Sequence, residues 1–259
     1  MKHLIKENDC LIIGNVWDSL SAIVHEQAGF KALGTTSWGI CNTFGYQDGQ
    51  KISFDDLKGV VAQILKVINI PLSVDVEKGY ANNHKDIVKN ILTLAKMGCS
   101  GVNLEDSLIS GEGLQDIDNF CKLVKEIKKE LLENGFDDFY LNIRTDTYLI
   151  LKNPLDETIK RSIAYQNAGA DGIFVPCLQQ VNDIKAILNN ITIPLNVMSL
   201  PNLTDIEELR KLGIQRFSYG NAMSDHIITE IEKATKTIIA HRCTSHLYDH
   251  PQLETNFKS

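Results

Sequence analysis

The stretch AGADGIFVPC, Ala168 to Cys177, joins two kinds of structure. An amphipathic segment ends at Ala168, Gly169 supplies the left-handed residue that caps a helix, and a short apolar strand follows. The same join recurs at Ala28-Gly29-Phe30 before KALGTTS, at Met97-Gly98-Cys99 before SGVNLEDS, and at Leu212-Gly213-Ile214 before QRFSYG. A second kind of join, Ile70-Pro71-Leu72 and Ile193-Pro194-Leu195, puts proline at the start of a strand, where a missing donor costs little.

Working outward, strands are predicted near Cys10–Val16, Ala32–Thr36, Leu72–Val76, Gly101–Leu104, Tyr140–Arg144, Gly172–Val175, Leu195–Met198 and Arg216–Tyr219. Helical segments lie between them, as at Asp55–Ile68 and Pro154–Ala168. Eight strand–helix units predict a single closed (β/α)8 barrel of the TIM type. The alternative, an open doubly wound sheet, would carry a G-x-G-x-x-G fingerprint, which is absent. The barrel is expected over residues 1–240, with a polar carboxyl-terminal tail over 241–259.

The chain has 259 residues, 43% hydrophobic and 23% charged, with a formal net charge of -7. That charge argues against nucleic acid or an anionic membrane as partner, because no basic excess exists to neutralise phosphates. No apolar run is long enough to span a membrane, and the start MKHLIKENDC is too polar for a signal peptide. Cys10, Cys41, Cys99, Cys121, Cys177 and Cys243 lack C-x-x-C spacing and read as reduced thiols, so a cytoplasmic location is expected.

Barrel active sites collect at the carboxyl ends of the strands. Those ends offer Asn15, Trp17 and Asp18, then Ser37, Trp38 and Gly39, then Asp75 and Glu77 in LSVDVEKGY. Next come Asn103, Glu105 and Asp106, then Arg144 and Asp146, and later Cys177, Asn196 and Ser218. Strand alternation aims Asp75 and Glu77 at one place, and Glu105 ends the neighbouring strand, about 4.8 Å away. Carboxylates that close need protons or a cation, and hard oxygen ligands suit Mg²⁺ or Mn²⁺ better than Zn²⁺. Helix capping or pairing with surface lysines is the alternative use of such acids. Arg144 suits a substrate carboxylate or a developing enolate oxygen. It equally suits a bridge to Asp146 or Glu105, and the two roles are compatible. Cys121 and Cys177 read as packing thiols, and His241, His246 and His250 as solvated residues of the tail.

Taken in order, Trp17-Asp18, TTSWGI, GYQDGQ, DVEKGY, GVNLEDS, NIRTD, AGADGIFVP, PLNVM and RFSYGNA resemble the isocitrate lyase/phosphoenolpyruvate mutase superfamily, from about Gly14 to about Met223. The likeness is to its short-chain, phosphonomutase-like branch. It implies a 2-oxo acid or enol carboxylate chelated to Mg²⁺ at the barrel mouth. Asp75 would hold the metal, Glu77 and Glu105 its waters, and Asp48 would reach the same site from a loop. Ser37 and Gly39 would cradle the substrate carboxylate, with Arg144 and Asn196 as further polar contacts. The resemblance also implies a homodimer or homotetramer, with a last helix that either covers its own barrel or is exchanged between subunits.

Two departures stand out. Trp38 occupies a position that the lyases give to glycine, beside the substrate cradle. The loop EDSLISGEGLQD, Glu105 to Asp116, has neither the Lys-Lys-Cys-Gly-His motif of methylisocitrate lyases nor the Gly-Lys-Asn-Leu-Lys-Ser motif of the mutases. Without those groups, decarboxylation of oxaloacetate is the expected reaction, since carbon dioxide leaves without proton transfer. A phosphonate phosphorylmutase or hydrolase is the runner-up, and a non-catalytic 2-oxo acid binder the alternative from another class.

Overall fold

The computed structural model describes residues 1–108 and 112–251. Eight parallel strands close in chain order: β1 (Leu11–Val16), β2 (Ala32–Thr35), β3 (Leu72–Asp75), β4 (Gly101–Glu105), β5 (Tyr140–Arg144), β6 (Gly172–Phe174), β7 (Leu195–Met198) and β8 (Arg216–Ser218). Around them, in chain order, run α1 (Lys2–Glu7), α2 (Ser19–Gln27), α3 (Ser37–Thr43), α4 (Phe54–Val67), α5 (His84–Lys96) and α6 (Ile117–Glu133). They are followed by α7 (Thr147–Ile150), α8 (Leu155–Ala168), α9 (Val181–Leu188), α10 (Ile206–Leu212) and α11 (Ala222–His241). The expected (β/α)8 barrel is therefore the fold. The carboxyl-terminal tail is described only to Pro251, and the rest of it lies outside the described residues.

The joins behave as their chemistry requires. Gly169 closes α8 at φ 108°, and Gly29, Gly98 and Gly213 take the same left-handed form. Pro71 and Pro194 sit one residue before β3 and β7. They lend only their carbonyls to the ladder, accepting from Leu33 N and Ile173 N at 2.9 Å each. Ser53 starts α4 with a capping box, Ser53 Oγ accepting from Asp56 N at 3.1 Å while Asp56 Oδ2 accepts from Ser53 N at 3.0 Å. Leu57, Val61 and Ile64 then face the barrel from one side of the helix.

Inside the barrel, a glycine accommodates bulkier neighbours on the adjacent strand. Gly172 on β6 makes room for its neighbours on β5: a Cβ there would lie 2.1 Å from Tyr140 Oη and 2.8 Å from Asn142 Oδ1. Gly172→Ala is expected to destabilise the protein by about 1–3 kcal/mol, read as a lower midpoint in denaturant. The amino-terminal end of the barrel is plugged by α1, which packs Met1 and Ile5 against Leu11, Ile13, Ala32 and Tyr140. That plug leaves the opposite end, where the strands finish, as the open mouth.

Candidate active site

The turn after β3 differs from the strand alternation expected of it. The strand ends at Asp75, and Glu77 lies beyond it at φ +46°, a left-handed form that costs a residue with a Cβ. The two acids converge through this turn rather than through the pleat. Glu77 N donates to Asp75 Oδ1 at 3.2 Å, and Glu77 O accepts from Glu105 N at 2.9 Å. The backbone thus ties together the three acids that the sequence singles out.

Their side chains have different surroundings. Asp75 Oδ2 accepts from Ser37 Oγ at 3.2 Å. Glu77 is buried and accepts from Tyr80 Oη at 2.9 Å. Glu105, also buried, is shared between Arg144 Nη1 at 3.1 Å and Lys78 Nζ at 3.2 Å. Asp48 arrives from the loop between α3 and α4, and its Oδ1 is buried without a partner. Among the described residues, Glu77, Asp48 and Cys41 gather their ligand atoms within 4.8 Å of one another. The expected metal set named Asp75 and Glu105 with Glu77. In this geometry Glu105 is held by its two cations, while Asp48 and Cys41 are the groups whose ligand atoms gather with that of Glu77.

These acids press on one another. Burial pushes Glu77 up to about 8, with Asp75, Asp48 and Glu105 adding and the Tyr80 hydroxyl opposing. Burial likewise raises Asp75, against the pull of Arg144. Carboxyls forced upward together, beside an orphaned carboxylate oxygen, form a donor set short of positive charge. Mostly hard oxygen ligands fit a magnesium-like ion there. A pH dependence follows for the metal-free protein. Protonated Glu77 contributes stability in full below its ordinary value of 4.5, and that contribution is lost as pH rises through about 8. The thermal midpoint without metal is therefore expected to fall between pH 6 and 9. Added Mg²⁺, which takes the ionised form, should flatten that decline in a thermal-shift titration.

Arg144 makes both of the bridges open to it. Its Nε and Nη2 donate to the two oxygens of Asp146 at 2.5 and 3.2 Å, and its Nη1 meets Glu105. Three carboxylates, those of Glu105, Asp146 and Asp75, hold it firmly in the charged form despite its burial. It still reaches a cavity of ≈ 290 Å³ at the mouth. One wall of that cavity is polar, with Asn15, Ser37, Asp48, Asp75, Asn103 and Ser218. The other is largely apolar, with Leu149, Phe174, Pro176, Cys177 and Met198. Across Asp48 and Arg144 lies a second cavity of ≈ 350 Å³, which Glu77, Lys78, Glu105, Ser107 and Asp146 help to line.

Other expected contacts fall differently. Trp38 lines the cavity edge, 41% exposed, and its Nε1 donates to Asp225 Oδ1 on α11 at 2.8 Å. Gly39 does not line the cavity. It lies a turn into α3, where its N–H meets the capping Thr36 Oγ1 and a Cβ would strike Thr36 and Trp17. Asn196 is fully buried below the cavity floor, with its amide engaged inside the barrel. Cys121 packs on the core as expected, whereas Cys177 lines the cavity at φ +61°. His84 turns to Glu126 at 3.3 Å and His246 to Ala234 O. The middle of the loop after β4, residues 109–111, lies outside the described residues.

The chain as a whole is similar to known proteins. Residues 1–239 match the family model described as phosphoenolpyruvate phosphomutase. The chain belongs to the phosphoenolpyruvate phosphomutase family. An uncharacterized protein of Mycobacterium tuberculosis is 33% identical over 211 residues, which cover 81% of this chain and 77% of that one. The oxaloacetate decarboxylase of Paraburkholderia xenovorans is 26% identical over 227 residues, covering 85% and 75%. Among solved structures, a candidate phosphonomutase of Burkholderia cenocepacia superposes with a TM-score of 0.86 at 31% identity, covering 91% of this chain and 97% of its own. Phosphoenolpyruvate phosphomutase relatives thus include both lyases and mutases. Among the described residues, no helix is long and apolar enough to cross a membrane.

Proposed function

We propose that this member of the phosphoenolpyruvate phosphomutase family is a Mg²⁺-dependent lyase that stabilises the enolate of a small 2-oxo acid, with oxaloacetate decarboxylation as its reaction. The observation that carries this reading is the mouth cavity. At ≈ 290 Å³ it lies at the small end of ligand pockets, and Arg144 is the one cation among its described lining residues. A four-carbon oxo acid suits such a space. A phosphonate or tricarboxylate would want more room and more positive charge.

Arg144 is the group that orients the substrate carboxylate, held in place by Asp146 and Glu105. Ser37 Oγ, already turned toward Asp75, lies on the same polar wall. Leu149, Phe174, Pro176 and Met198 limit water on the opposite side, which strengthens every charge interaction within. A magnesium ion held by Asp75, with Asp48 and Glu77 beside it, would supply charge withdrawal as the carbon–carbon bond breaks, worth several kcal/mol in such sites. No protein group has to accept a proton while carbon dioxide leaves, and water then donates the proton that converts the enolate to pyruvate. The test is carbon dioxide and pyruvate formation from oxaloacetate with and without Mg²⁺. Turnover no faster than the spontaneous, metal-only rate rejects the reading, as does phosphate release from phosphonopyruvate in its place.

A homo-oligomer built on α11 accompanies this reading. Ser224 is the only buried residue of that helix, while Ile227, Ile228 and Ile231 stand 42 to 59% exposed. An apolar stripe of that kind is ordinarily covered. Ile227→Glu with Ile231→Glu is expected to convert the oligomer to monomers in sedimentation, with the barrel's circular dichroism unchanged.

A further inference from the structure

Arg216 poses a question that the proposed reaction does not answer. It is 1% exposed, projects from β8 into the barrel, and meets no carboxylate at ion-pair distance among the described residues. Its Nε is buried without a partner. Burial lowers it to about 10, against the pull of Tyr140 and Asp75, so it remains charged at neutral pH. A buried, unpaired guanidinium is a poor device for stability, since an apolar side chain of similar size usually serves as well.

Its hydrogen bonds suggest another use. A guanidinium donates and never accepts. Arg216 Nη1 donates to Asn196 Oδ1, which fixes that amide: its Nδ2 turns to Val197 O at 2.8 Å and Arg216 O at 3.3 Å. Asn196 Oδ1 then also accepts from Asn142 Nδ2 at 3.2 Å, and the same Nδ2 donates to Asn103 Oδ1 at 2.9 Å. Reversing Asn142 would set its oxygen against two other oxygens. The observed orientation holds although it leaves Asn142 Oδ1 buried and unpartnered. At the end of the chain stands Asn103, half-buried, on the cavity wall and in register with Asp75. Its oxygen is turned inward to accept from Asn142, and its NH₂, which has no partner among the described residues, is the group left to face the cavity.

We propose that Arg216 is a positioning residue that sets the polarity of the chain Asn196–Asn142–Asn103, so that the cavity wall presents a hydrogen-bond donor at Asn103 to an oxygen of the bound oxo acid. This rests on the 2-oxo acid reading above for its ligand class, though not on the reaction assigned to it. Arg216 touches no ligand. It acts by forbidding the opposite amide orientation two residues away.

The test compares oxalate with oxamate, in which an NH₂ replaces an oxygen, by calorimetry of the full chain with Mg²⁺. A donor wall favours oxalate. Arg216→Met frees Asn196 to turn over, and Asn142→Leu breaks the chain at its middle if the first variant fails to fold. Each is expected to compress the oxalate-to-oxamate affinity ratio at least fivefold, because a polar site discriminates through the group it leaves unpaired. Simple structural damage would weaken both ligands alike and leave the ratio unchanged. That unchanged ratio in a folded variant overturns the proposal, as does a wild-type protein that takes up neither ligand. If the ratio responds as expected while oxaloacetate is not decarboxylated, the reaction assignment falls and the role of Arg216 stands.

Discussion

Asp75→Asn is expected to lower kcat/KM for the oxo acid by roughly a thousandfold, the scale lost when a group that stabilises developing charge is removed. The substitution keeps size and shape. The amide oxygen can still accept from Glu77 N, and the NH₂ that replaces the other oxygen can donate to Ser37 Oγ, whose hydroxyl also accepts, so the turn after β3 keeps its bonds. What disappears is the negative charge that would hold the ion. The same change should stabilise the metal-free protein near pH 8, because burial and Asp48 already oppose the ionised form of Asp75. Opposite signs for activity and stability separate this outcome from a damaged fold. Mg²⁺ titration by calorimetry and a thermal midpoint at pH 8 decide it. An asparagine variant retaining a tenth of wild-type activity removes Asp75 from the metal site.

Arg144→Lys is expected to cost about a hundredfold in kcat/KM while the protein still folds. Lysine keeps the charge between Glu105 and Asp146 but loses the planar fork that spans both oxygens of Asp146 and still faces the cavity. Arg144→Met should be far worse for folding. It leaves two buried carboxylates without their main cation, a loss of about 3–5 kcal/mol. Steady-state kinetics of the lysine variant and denaturation of the methionine variant check the pair. If methionine lowers stability no more than lysine does, the bridges seen around Arg144 contribute little.

The barrel is legible from glycine and proline punctuation, since those residues report backbone conformation directly and need no knowledge of the neighbours. Strand ends came within a residue of those observed for the same reason. The site was legible only in part. Asp75, Glu77 and Glu105 do come together, but by a left-handed turn at Glu77 that alternation cannot foresee. Asn196 and Cys177 traded expected places, one sinking below the floor and the other facing the cavity. Side-chain depth in a barrel depends on strand tilt and register, which no single strand encodes. Arg216 did leave a trace: a charge opening the expected strand RFSY, where a strand buried on both faces would ordinarily begin apolar.

The bond from Trp38 to Asp225 joins the cavity rim to the helix whose isoleucines lie open. Whatever settles over that helix therefore tugs on an indole at the entrance. With only one other tryptophan in the chain, Trp17, fluorescence emission becomes an optical readout of the two events proposed above: occupancy of the cavity and association of subunits through α11. Dilution of the unliganded protein should shift the emission maximum before any substrate is added.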